Sequence, residues 1–206
     1  MVAKKISGRG RPRKFDLDRA VATAKELFHQ RGYDSVGVAE LSQVMGITAP
    51  SLYAAFGSKS QLFERVLQDY VRTDGGWLPA AIAQAETVEG SISCLFECAA
   101  EAYSANPLQL GCLVLDGTRN CTDERVCQRS AEFRQATRDL IRERIATEFP
   151  EQAEMLANYV FTILMGLSAA ARDRRPKAEL LSTARIAAAG FSAHIQDGHP
   201  QSVNRT

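Results

Sequence analysis

Long apolar runs are missing from this sequence. No stretch approaches the roughly 20 apolar residues that a membrane-spanning helix requires, so no membrane partner is expected and a cytoplasmic location follows by default. The basic opening, residues 1–14, is followed by no apolar segment and does not read as a secretory signal. The five cysteines are an odd number at irregular spacing, a poor disulfide framework that fits reduced thiols. No two of them have the two-residue spacing of a zinc knuckle, and the three histidines, His29, His194 and His199, lie elsewhere, so no metal site is expected. There is no Gly-rich phosphate loop and no set of nucleophile, base and metal ligand. Those absences argue against an enzyme and against a bound cofactor. Internal repeats and low-complexity tracts are also lacking.

What is present is ordinary in amount and uneven in distribution. A chain of 206 residues with 45% hydrophobic and 24% charged residues can form one medium domain or two small ones around a packed core. The net charge of +1 hides a split: residues 1–72 carry a balance of +5, and residues 73–206 a balance of −4. Lys4, Lys5, Arg9, Arg11, Arg13 and Lys14 all precede the first acidic residue, Asp16. A positive first third suggests a part that binds a polyanion, joined to a part that does something else. A solvated tail gives the same count.

Apolar residues recur at helical spacing through nearly the whole chain after residue 15, which predicts an all-α fold. Leu17, Ala20, Val21, Ala24, Leu27 and Phe28 form the first stripe, with Asp16 as its cap and Gly32 as its end. A short helix through Val38, Leu41, Val44 and Met45 stops at Gly46. The next runs from about Ala49 to Phe56, capped by Thr48, with Pro50 in its first turn, where the missing N–H costs little. Gly57 breaks the chain, and Ser58-Lys59-Ser60-Gln61 reads as a capping box before Leu62, Phe63, Val66, Leu67 and Tyr70. Asp74-Gly75-Gly76 predicts a loop or hinge. Further helices follow over Ile92–Tyr103, from a Thr122 cap onward, from Pro150, and through Leu181–Ile195. Cys112-Leu113-Val114-Leu115 fits a helix better than a strand in this setting.

Residues 36–56 carry the function. Two short helices meet at a glycine turn, Met45-Gly46-Ile47, the arrangement in which the second helix enters the DNA major groove by its N-terminal end. Gly32-Tyr33, Val38-Ala39-Glu40-Leu41, Met45-Gly46-Ile47-Thr48, Ser51-Leu52-Tyr53, Phe56, Ser58-Lys59 and Leu62-Phe63 together resemble the DNA-binding domain of the TetR family of bacterial regulators, over residues 15–63. The resemblance implies a homodimer: three N-terminal helices that bind DNA, and a C-terminal helical part, residues 64–196, that binds an effector and forms the dimer. It implies that Thr48, Ala49, Pro50, Ser51 and Tyr53 face the groove or its flanking phosphates, and that Lys59 holds a phosphate. Where the family usually has Thr or Ser at the start of the second helix, this chain has Gly37, which can offer only backbone N–H groups. The recognition helix lacks Arg, Lys, Asn and Gln, so bidentate base readout from it is not available. Affinity is expected to lean on phosphates, with apolar contacts to thymine methyls adding selectivity.

Arg9-Gly10-Arg11-Pro12-Arg13-Lys14 resembles an AT-hook, whose Arg-Gly-Arg core lies in a narrow A·T minor groove. A basic tail giving only salt-dependent affinity is the other reading. Residues 197–206 read as a frayed tail.

In the second part, Cys94 and Cys98 share a helix face, and Cys112, Cys121 and Cys127 follow. Clustered thiols can bind a soft metal such as Cu(I) or react as redox or electrophile sensors, and buried cysteine is also a common core residue. Gly111-Cys112-Leu113 resembles a segment of some thiol-sensing TetR-like regulators. Phe96, Tyr103, Cys112, Leu115, Phe161, Leu164 and Met165 are the expected lining of an effector pocket, with plain core as the alternative. The last two helices, about 151–172 and 177–195, carry the expected dimer face: Leu167, Ala171, Leu181, Ala184, Ala188 and Phe191, whose small side chains permit close approach. The opposing reading buries these faces inside one chain. Functionally the sequence predicts a ligand-responsive repressor that leaves a palindromic double-stranded operator when a small-molecule or thiol-reactive effector binds. A DNA architectural protein without an effector is the alternative.

Overall fold

Local stop and start signals set the first four helices. The structure, a computed structural model that describes residues 16–197, places α1 at Leu17–Arg31, α2 at Val38–Met45, α3 at Ala49–Phe56 and α4 at Lys59–Arg72. Asp16 caps α1 by accepting from the backbone N–H groups of Asp18 and Arg19, each at 3.1 Å. Thr48 and Ser58 do the same for the N–H groups of Ser51 and Gln61. Gly46 ends α2 in the left-handed region at φ 65°, a conformation that a residue with a Cβ adopts only at a cost. Phe28, Leu41, Leu52, Phe56, Leu62 and Phe63 form the core of this head, and the Phe28 and Phe63 rings meet edge to face at 5.0 Å.

The body contains α5 (Trp77–Ala83), α6 (Val88–Ser104), α7 (Leu113–Asp116), α8 (Glu124–Ala146), a 3-10 turn at Pro150–Gln152, α9 (Ala153–Arg172) and α10 (Lys177–Asp197). Among the described residues there is no strand. Helix α6 is the axis of the body, packed by α5, α9 and α10, while α8 lies along α9. Helix α4 is continuous across the expected boundary at residues 63 and 64; it packs on α1 in the head and on α7 and α8 in the body.

Several expectations need correction. Asp74-Gly75-Gly76 forms a short turn, and α5, which was not expected, follows at once because Trp77, Leu78, Ala81 and Ile82 recur at helical spacing and pack on α6. Asp123, not Thr122, caps α8, accepting from Val126 N–H at 3.3 Å. The stretch Pro150–Arg172, with mean hydropathy 1.3, has the length and composition of a spanning helix, where the sequence reading found none. It is a core helix: Leu156, Val160, Leu164 and Leu167 are buried against α6, α8 and α10. Four residues of the expected dimer face, Leu167, Ala171, Ala184 and Phe191, are buried within the chain, and Leu181 and Ala188 are half-buried. Small residues here let α10 approach α6 closely, so they turn inward.

Candidate functional site

The surface of α3 is built from short side chains. Leu52 and Phe56 anchor it in the head core, which turns Thr48, Pro50, Ser51, Tyr53 and Ala54 outward and leaves Ala49 half-buried. Tyr53 is 49% exposed and is the longest side chain on this face. The hydroxyls of Thr48 and Ser51 lie 2.9 Å apart and share one hydrogen bond. Each keeps lone pairs or a rotatable hydrogen for an outside partner. Gly37 is exposed at the N-terminus of α2 with no side-chain cap, and a Cβ placed there meets nothing within 4 Å. Arg9, Arg11, Arg13 and Lys14 lie outside the described residues.

Lys59 begins α4 and is half-buried, with its Nζ 4.0 Å from the centroid of the Tyr33 ring. Burial holds its pKa below the usual lysine value. The Tyr33 hydroxyl in turn donates to Asp123 Oδ2 at 3.0 Å. This cation–π seat holds the ammonium at the first turn of α4 and, through Tyr33, ties it to the cap of α8. The sequence reading identified Lys59 and not its seat. Ala54 is also exposed, as is Val44 at the end of α2, which helical spacing counts with the apolar residues of that helix.

Behind the head lies a cavity of about 320 Å³, between α4, α5, α6, α7, α8 and α9. Five expected residues line it: Tyr103, Cys112, Leu115, Phe161 and Leu164. Tyr70, Trp77, Leu78, Phe133, Thr137 and Leu140 complete much of the wall. Two expected residues do not belong. Phe96 lies two turns along α6 from Tyr103, away from the cavity, where its ring meets Tyr159 with centroids 6.5 Å apart. Met165 is 42% exposed on the outer side of α9. The lining is almost wholly apolar, and the Tyr70 and Tyr103 hydroxyls lie near the Cys112 thiol. Burial pushes all three groups up, so the Cys112 thiol and both phenols stay protonated at neutral pH.

Short hydrogen-bonded links join this cavity to the head. Cys112 N–H donates to Ser168 Oγ at 2.8 Å, and Ser168 donates to the buried carboxylate of Asp116. Arg119 donates to the same carboxylate at 2.7 Å, and Arg172 lies 3.9 Å from it. Arg172 then reaches the last turn of α1, donating twice to the His29 carbonyl at 3.1 Å. His29 Nε2 meets the Gly111 carbonyl at 3.2 Å, and Tyr33 N–H donates to the Gly117 carbonyl at 2.8 Å. The segment 111–117 thus has Cys112, Val114 and Leu115 on the cavity, one end on His29 of α1 and the other on Tyr33, just past it. Gly111 sits at φ 77°, and a Cβ there would come within 2.9 Å of the Ser168 carbonyl. Only glycine fits.

Comparison with known proteins agrees with this geometry. Residues 20–66 match the family described as "Bacterial regulatory proteins, tetR family". The HTH-type transcriptional repressor BdcR of Escherichia coli (strain K12) is 37% identical over 198 residues, which is 96% of this chain and 100% of BdcR. The HTH-type transcriptional repressor ComR of the same strain is 29% identical, over 85% of this chain and 89% of its own. Among solved structures, the TetR family regulator CifR, as a cysteine mutant complexed with 26bp double-strand operator DNA, superposes with TM-score 0.81 at 32% identity, covering 87% of this chain and 98% of that one.

Proposed function

The chain belongs to the TetR family of bacterial regulatory proteins and is a DNA-binding transcriptional regulator, not an enzyme; from that premise we propose that it is a cytoplasmic repressor whose effector is a small, mostly apolar molecule with one hydrogen-bonding group. The observation that carries this reading is the cavity of about 320 Å³ walled in part by segment 111–117, whose ends hold His29 of α1 and Tyr33 just past it. A volume of this size takes a compact ligand. The ligand's polar end would meet Tyr70, Tyr103 and Cys112, and its apolar body would lie against Trp77, Phe133 and Phe161. Pressure on Cys112 or Leu115 shifts the segment, and with it α1 and the head. The coupling free energy needed for release is modest, typically about 1–3 kcal/mol.

The protonated state of Cys112 favours a hydrogen-bonding role over a standing thiolate. A thiol-reactive effector remains the second reading, because this sulfur is the one that faces the cavity. Cys112→Ser separates the two: a non-covalent effector still releases the variant, and an electrophile no longer does.

Two heads are needed to specify one genomic site, and a two-fold dimer sets its recognition helices about 34–36 Å apart, one turn of DNA. The partner surface we assign is the outer side of α9 and α10, where Met155, Met165 and Ile186 are exposed and Tyr159 is partly so. In this reading Thr48, Ala49, Pro50, Ser51, Tyr53, Lys59 and the backbone at Gly37 contact the operator, and the basic arm reaches the minor groove beside it.

A footprint over the chain's own upstream region tests the function. A repressor protects a short near-palindrome, and protection collapses when a panel of one-ring phenols, aldehydes and quinones contains the effector. Broad protection that no cavity-filling compound alters would instead mean an architectural protein.

A further inference from the structure

Two thiols outside the cavity are held in contact by one helix. Cys94 and Cys98 stand a turn apart on α6, beside the end of α5, with their sulfurs 3.7 Å apart. Both are half-buried. The Cys94 thiol also donates to Oε1 of Gln84, the residue that closes α5, at 2.8 Å. Burial, then the neighbouring sulfur, then Glu101 and Glu97 push the Cys98 thiol up to about 11, so it is protonated at neutral pH.

Geometry separates the chemistries open to such a pair. A disulfide wants its Cβ atoms about 3.5–4.5 Å apart, whereas residues one helical turn apart hold theirs at about 5–6 Å. Closing the bond would distort α6. A structural tetrahedral metal takes four ligands, and among the described residues no group of three His, Cys, Asp or Glu could hold a metal. A linear two-coordinate ion with bonds to sulfur of about 2.3 Å spans about 4.6 Å, wider than the 3.7 Å found. One bridging atom with bonds of that length and a bent, near-tetrahedral angle spans about 3.8 Å. The occupant that fits is therefore a single bent centre that takes two sulfurs and supplies its remaining substituent itself.

We propose that Cys94 and Cys98 form a dithiol site for monosubstituted trivalent arsenicals, R–As(OH)2. Two As–O bonds break and two As–S bonds form. Each thiol proton leaves with one hydroxyl group as water, so two waters are released. Arsenic stays trivalent throughout, and the step needs neither an oxidant nor a preformed thiolate. The carbon substituent R completes the pyramid at arsenic, which is why two protein ligands suffice. The site lies apart from Cys112 and stands whether or not the cavity binds an effector.

The full-length protein, reduced and in its native state, is titrated with phenylarsine oxide, which hydrates to the dihydroxy form, and followed by intact mass. One phenylarsine adduct per chain is expected. It should survive excess glutathione, come off with ethanedithiol, and map on proteolysis to the peptide holding Cys94 and Cys98. Cys94→Ser or Cys98→Ser leaves a single sulfur and should weaken binding on the order of a hundredfold, the loss of a chelate. Mapping of the adduct to Cys112, or to Cys121 and Cys127, would overturn the assignment, as would undiminished affinity in both serine variants or no adduct at all. The wild-type map depends on no variant folding.

Discussion

Ser168 and Ser130 are both fully buried, yet the same substitution should affect them in opposite ways. Ser168 accepts from Cys112 N–H at 2.8 Å and donates to the Asp116 carboxylate. Ser168→Ala orphans a buried N–H, at about 1–3 kcal/mol, and removes a hydrogen bond from a buried charge, at about 1.5–3 kcal/mol. Asp116 retains Arg119 at 2.7 Å and Arg172 at 3.9 Å, which places the total toward the lower end. About 3 kcal/mol of stability should be lost. The Ser130 hydroxyl has no hydrogen-bond partner among the described residues. Ser130→Ala removes a buried polar atom that nothing satisfies, so the variant should match the wild type within about 0.5 kcal/mol or be more stable by up to about 1 kcal/mol. Urea titrations at one fixed protein concentration, with equal slopes, compare the three proteins directly. Equal losses in both variants would refute the reasoning, because serine burial alone, and not the bonded chain from Cys112 to Asp116, would then set the energy.

On the DNA side, Tyr53→Ala and Lys59→Ala should each weaken operator binding without unfolding the head. If Lys59 holds one phosphate, its variant should also lower the slope of log affinity against log salt by about one, and wild-type affinity for both in a gel-shift titration would remove α3 and Lys59 from the interface. Burial, with help from Arg172, holds His29 neutral below its ordinary value of 6.5, against the pull of the Gly111 carbonyl, Asp74 and Asp116. The unfolded chain takes up a proton there that the folded chain refuses, so stability is full above pH 6.5 and declines as the pH falls below it. His29→Gln should flatten that decline in melts recorded across the acid range, and an unchanged slope would mean that other groups set it. Ile186, at 72% exposure, is the most exposed large hydrophobic residue of α10, and Ile186→Arg should shift the mass in light scattering from dimer to monomer and weaken operator binding together. A dimer with full affinity would move the interface elsewhere.

The head was legible because its signals are local. Asp16, Thr48 and Ser58 cap helices from the adjoining residue, and Gly32, Gly46 and Gly57 end them, so no distant contact is needed to place them. The body depends on packing. Along α6, Val88, Ile92, Leu95, Phe96, Ala99 and Tyr103 are all buried, because α5, α9 and α10 surround the helix. Periodicity marks such residues as inside without saying which neighbour each one meets, so Phe96 and Tyr103, two turns apart on one face, look alike in sequence although one meets Tyr159 and the other the cavity. The same limit governs α9 and α10. Their apolar residues form more than one stripe, and the alanines that suit a subunit contact suit the α6–α10 contact equally well. Tyr70 and Trp77 reach the cavity from α4 and from the unexpected α5, a convergence that no spacing encodes.

The sparse face of α3 bears on how such a regulator can change its targets. Thr48, Ser51 and Ala54 present little that must be removed before a new reader is added. A long polar side chain introduced at Ala54 would project from a helix whose buried side, Leu52 and Phe56, is untouched. Retargeting can then proceed by gain alone, each new arginine or glutamine adding about 1–3 kcal/mol of discrimination at one base pair. A recognition helix already crowded with committed side chains must first lose an old preference, passing through forms that bind nothing well. Duplicates of this chain could acquire distinct operators in single mutational steps while each intermediate remains a working DNA-binding protein.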